Sequence, residues 1–142
     1  EKILFRFTIT GRNSAILGFW ESGAPAYQER LESLQVAFER GFQTSVSIEP
    51  MLDLEDVRAM IDEIEPYVSH SIWVGKLNRI EERVKIDPGE VAAEVKRIRN
   101  EQQDRNIIDL YEALKGRSLI RWKESVKLVV GLPLATESGL DI

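Results

Sequence analysis

The sequence predicts an α/β protein built on a parallel sheet of about four strands. Short runs rich in Ile, Val, Phe, Thr and Ser recur near residues 3–9, 42–48, 71–77 and 119–122. Between them, apolar residues return every three or four positions, as on one face of a helix. Strands that alternate with helices of more than ten residues require right-handed crossovers, and hence parallel pairing.

Taken in order, residues 3–9 alternate as a strand, and a loop containing Gly11, Asn13, Ser14 and Gly18 is expected from Gly11 to about Gly23. Pro25 lies near the start of a helix whose Leu31, Leu34 and Phe38 fall at helical spacing, with Gly41 at its end. The strand at 42–48 ends on Glu49-Pro50, and Asp53 stands as N-cap of a helix over 54–65 with Val57, Ile61 and Ile64 inward. Pro66 closes that helix, and a third strand follows at 71–77. Asp87-Pro88-Gly89-Glu90 opens a helix with Asp87 as N-cap and Pro88 at the first turn, its apolar face carried by Val91, Val95 and Ile98. A polar break at 102–106 leads to a second helical piece with Ile107, Leu110, Tyr111 and Leu114 inward. A short fourth strand covers 119–122, residues 124–130 form one or two helical turns, and 133–142 reads as a loose tail.

Four strands are too few to close a barrel. The chain is thus either a small open sheet or part of a larger barrel. Its 142 residues form one domain, large enough to bury roughly 70% of the surface its unfolded chain exposes. No apolar run is long enough for a membrane span, and a cytoplasmic location is the expectation. The absence of cysteine removes disulfides, thiolate metal sites and iron–sulfur ligation from these residues. A net charge of −5 disfavours a dedicated nucleic-acid surface. The basic run Lys115, Arg117, Arg121, Lys123 and Lys127 reads more simply as a solvated face than as a phosphate contact.

In a parallel α/β sheet, ligands collect at the carboxyl ends of the strands. The residues there are Thr8, Thr10, Arg12 and Asn13 after the first strand, Ser47, Glu49 and Asp53 after the second, Lys76, Asn78 and Arg79 after the third, and Lys123 after the fourth. Hydroxyls with Asn suit a ribose or an amino-acid head group, and Lys or Arg suits a carboxylate or phosphate. Glu49 and Asn78 stand out, because a carboxylate at a strand end is costly to desolvate unless something binds it. Glu21 is a second candidate carboxylate, although an electrostatic role at a helix start explains it as well. Trp73 reads most simply as core and His70 as a turn or edge residue. No Walker loop, G-x-G-x-x-G or metal-ligand spacing occurs.

Five segments, in order, resemble the C-terminal half of radical S-adenosylmethionine enzymes, in particular the spore photoproduct lyase and DNA-repair-photolyase-like branch. They are Phe5-Arg6-Phe7-Thr8-Ile9-Thr10; Trp20-Glu21 and Gly23-Ala24-Pro25 with Glu29-Arg30-Leu31; Thr44 through Leu52; Ile72-Trp73-Val74-Gly75-Lys76-Leu77-Asn78; and Ile120 through Ser125. The resemblance implies a partial (β/α)₆ barrel of which this chain holds the fourth strand onward. It implies a cofactor pocket for S-adenosylmethionine to which Thr8, Ser47, Glu49, Lys76 and Asn78 contribute. The family's C-x-x-x-C-x-x-C loop, which holds the 4Fe–4S cluster, has no counterpart here. The reading therefore expects a fragment, inactive alone, whose partner is the N-terminal half of the parent barrel and whose exposed first strand favours a homodimer in isolation. The alternative is a stand-alone α/β ligand-binding or interaction domain without redox chemistry. A hydrolase or isomerase using Glu49 as general base lacks a partner acid or nucleophile.

Overall fold

The computed structural model describes residues 3–77 and 89–134. Four strands, β1 (Leu4–Thr8), β2 (Gln43–Ile48), β3 (Ser71–Val74) and β4 (Ile120–Trp122), form one sheet in the order β1-β2-β3-β4. All three pairings are parallel. The helices are α1 (Ser14–Trp20), α2 (Tyr27–Glu39), α3 (Leu54–Ile64), α4 (Glu90–Glu101), α5 (Asp104–Leu114) and α6 (Glu124–Val130).

Strands that follow one another in space as in sequence, with crossovers of one hand, place their main helices on the same side of the sheet. The core reflects this. Phe7, Val46, Ile48, Ile72, Val74, Ile120 and Trp122 share one face by register and alternation. They pack with Leu31 and Leu34 of α2, Val57, Met60, Ile61 and Ile64 of α3, Ile107, Leu110 and Leu114 of α5, and Val126 of α6. A smaller cluster of Leu17, Leu52, Leu77 and Ile98 seals α1 and α4 at the carboxyl end of the sheet.

Several expectations are corrected. The loop from Gly11 to Gly23 contains α1, started by Asn13, whose Oδ1 accepts the amides of Ala15 at 2.9 Å and Ile16 at 3.1 Å. Phe38 is exposed, because Ala37 takes the inward position, and its ring meets Tyr67 edge-on instead. Asp53 occupies the N-cap of α3 without a capping bond, and Glu101 Oε2 accepts the Leu54 amide at 3.3 Å in its place. The third strand ends at Val74 rather than at Leu77. Asp87 and Pro88 lie outside the described residues, and α4 begins at Glu90 with Gly89 at its cap position. Most of the expected tail, 135–142, also lies outside them.

Candidate ligand-binding face

The other face of the sheet has a different chemistry. Register places Thr8 beside Ser47, Ser47 beside Trp73 and Trp73 beside Arg121, one row across all four strands. Two residues earlier, Arg6, Ser45 and Ser71 form a second row. No residue of either row belongs to the two apolar clusters, so this face is polar where the opposite one is sealed by helices. Arg6 and Thr8 are exposed, and Ser47, Trp73 and Arg121 are half-buried.

Trp73 is therefore corrected from core to this polar face. The ammonium of Lys123 stands 5.3 Å from the centre of its ring, and its indole N–H is buried with no acceptor among the described residues. Ser45 and Ser71 are buried and share a 2.8 Å hydrogen bond that extends to His70 Nδ1, also at 2.8 Å. His70 is exposed at the amino end of β3, the edge position expected of it.

Glu49 continues the β2 row beyond Ser47, on the same face and opposite Gly75. Gly75 donates its amide to Ile48 O at 3.1 Å, and Met51 donates to Gly75 O at 3.0 Å, so residues 49–51 close tightly over it. A Cβ on Gly75 would lie 2.9 Å from Glu49 Cδ and closer still to Oε2. The glycine thus makes the space in which the carboxyl group rests. No described amide or side chain donates to that carboxylate and no described cation pairs with it.

Of the expected site residues, Thr8, Ser47 and Glu49 lie together on this face. Lys76 follows Gly75 directly, and its amide donates to Ser125 Oγ at 3.1 Å, which fixes the backbone where β3 leaves the sheet. Asn78 and Arg79 lie outside the described residues.

Other candidates are held in structural contacts. Arg12 forms a two-pronged bond to Asp56, Nε to Oδ2 at 2.7 Å and Nη2 to Oδ1 at 2.5 Å, with Glu63 3.6 Å away. Tyr27 donates to the same Glu63. Asn13 caps α1. Glu21 accepts from Thr10 Oγ1 at 2.9 Å and from Arg30 Nη2 at 2.6 Å. Arg30 also donates to Pro25 O at 2.9 Å and Thr8 O at 3.2 Å, tying the α1–α2 loop to the end of β1. Sequence reasoning missed Gly75 and Arg30, although a glycine following an Ile-Trp-Val strand is itself a sign of close approach.

Near the start of α3, Arg97 joins Glu94 at 2.6 Å, Glu101 at 2.8 Å and Leu52 O at 3.0 Å. Burial pushes the Asp53 carboxyl up, with Asp56 adding to the effect and Arg97 opposing it. Burial also raises the Glu101 carboxyl, with Arg97 opposing.

Among the described residues no group of three or more His, Cys, Asp or Glu is placed to hold a metal ion. No described helix is long and apolar enough to cross a membrane. No protein-family model, curated protein or solved structure matches this chain.

Proposed function

We propose that this chain is the C-terminal portion of a radical S-adenosylmethionine enzyme, supplying part of the cofactor pocket and one wall of the substrate site. The observation that carries the reading is the row of Thr8 and Ser47 hydroxyls, on a face that no described helix covers, continued by a carboxylate, Glu49, with no partner among the described residues. These groups suit a nucleoside that carries a free amino-acid group, whose ammonium and ribose hydroxyls would donate to Glu49 while Thr8 and Ser47 take the remaining polar atoms. The missing Cβ at Gly75 leaves room for the carboxyl group on this face. Trp73 offers a flat apolar surface beside it.

The cluster is a different matter. With no cysteine in 142 residues, this chain contributes no thiolate to a 4Fe–4S centre, and its ligands belong to the N-terminal portion of the parent. The chain's own part is binding, orientation and exclusion of water, the share a protein takes in cofactor chemistry.

A stand-alone ligand-binding domain is the second reading, favoured by the same lack of cysteine. Calorimetric titration with S-adenosylmethionine and with 5′-deoxyadenosine tests the first. Millimolar or tighter binding that disappears in Thr8→Val/Glu49→Ala is the expected result. Absence of heat with both ligands, in a chain shown to be folded, would overturn it.

A further inference from the structure

We propose that Trp73, Arg121 and Lys123 form an oxyanion subsite on the β3–β4 half of the polar face, and that the substrate sharing this face is a small molecule bearing a carboxylate or phosphate group. The inference rests on the reading that this face is one wall of a substrate site, and it uses neither Thr8 nor Glu49.

The structure divides the basic run at 115–127 into two kinds of residue. Lys115 pairs with Glu112 at 2.6 Å, and Arg117 with Asp62 at 2.7 Å and Glu65 at 2.9 Å. Arg121 and Lys123 turn to the polar face instead, and neither has an acid partner among the described residues. Arg121 stands beside Trp73 in the register. The amide of Lys123 donates to Val74 O at 2.9 Å, which carries the pairing one residue past β4 and by alternation keeps Lys123 on the face of Arg121. Its carbonyl accepts from Val126 at 3.0 Å and Lys127 at 3.1 Å. The backbone of Lys123 is thus fixed on both sides, while its side chain crosses to β3.

Both cations are held on the face without being neutralised. Arg121 Nη1 donates to Ser118 O at 2.6 Å and Ile120 O at 3.0 Å, carbonyls that orient the guanidinium and cancel none of its charge. Its Nε and Nη2 have no acceptor among the described residues. The Lys123 ammonium rests 5.3 Å from the centre of the Trp73 ring, a weaker contact than a charge-assisted hydrogen bond to an anion. An arriving carboxylate or phosphate therefore gains from both.

The field points the same way. By register and alternation the face carries Arg6, Arg121 and Lys123 against one carboxylate, Glu49, in a chain of net charge −5. A patch opposite in sign to the whole molecule draws anions toward it. Glu49 lies over Gly75 and accepts, whereas the β3–β4 half donates, so the two halves take different groups. Two cations from one strand suit one oxyanion, while a nucleic-acid backbone needs a longer basic track with stacking residues along it.

The test is a titration of the ¹⁵N-labelled 142-residue chain at constant ionic strength, following the Trp73 indole N–H resonance. That N–H is buried with no acceptor among the described residues, and its signal is identified by its loss in Trp73→Phe. Benzoate and phenyl phosphate are the anionic probes, and benzamide is the neutral one. At least one anion is expected to shift the resonance saturably and to bind about tenfold or more tighter than benzamide. The tighter of the two anions assigns the group as carboxylate or phosphate. Lys123→Met should weaken that anion by about tenfold, and Lys123→Arg should restore it. Thr8→Val/Glu49→Ala should not weaken it. No shift with either anion, or an equal response to benzamide, overturns the proposal, as does unchanged affinity in Lys123→Met. A short oligonucleotide that binds where both small anions fail assigns the patch to nucleic acid and also overturns it. Anion binding in a chain that gives no heat with S-adenosylmethionine would sink the cofactor reading alone, and the reverse would sink the subsite alone.

Discussion

The carboxyl group of Glu49 rests in the space that a side chain on Gly75 would need. The two residues face each other across neighbouring strands, and one owes its position to the other's lack of a Cβ.

Gly75→Ala should leave the fold nearly intact, because the group displaced is the end of a flexible side chain. A cost within about 1 kcal/mol is expected by thermal melting. Ligand binding should fall with it, since the carboxyl group is driven off the face. Adding Glu49→Ala should relieve the crowding without restoring affinity. A Gly75→Ala protein that binds as well as the parent would show that the cradle is incidental.

Arg30 ties three elements through Glu21, Pro25 O and Thr8 O, and its side chain is only 11% exposed. Arg30→Leu strands the Glu21 carboxylate and should cost about 2–4 kcal/mol in urea denaturation. Glu21→Gln keeps an acceptor for Thr10 and should cost less. Equal losses from the two variants would argue against this account.

The third prediction concerns acid. The side-chain hydrogen bond from Arg12 holds the Asp56 carboxyl below its ordinary value. A depressed folded-state pKa gives stability that is present above the unfolded value and is lost as pH falls through the folded one. Arg12→Leu should therefore narrow the gap between melting temperatures measured near pH 5 and near pH 2, by removing the Asp56 contribution at the upper end. The side chains are about one-third exposed, so the effect is modest and should shrink in high salt.

Much of the architecture is legible in the residues. The β-branched run Thr44–Ile48 between Gly41 and Pro50 allows little except a buried strand, and the stripe of Val57, Ile61 and Ile64 allows little except a helix. Helix α1 escapes because Gly11, Asn13, Ser14 and Gly18 look like a loop, whereas Asn13 is the cap that starts it. Trp73 misleads for a different reason. Its apolar neighbours Ile72 and Val74 suggest core, yet strand alternation turns Trp73 to the opposite face. Of the site, Thr8, Ser47 and Glu49 are readable from parity along their strands once parallel pairing is accepted. That no described residue pairs with Glu49 is not, because it depends on how distant segments are placed in space.

The strand order has a consequence for how the molecule forms. Among the described residues each strand pairs with those just before and after it along the chain, so no pairing skips a strand. Each pairing closes one crossover only, a cost that rises slowly with its length, and the sheet can grow by accretion from any neighbouring pair of strands.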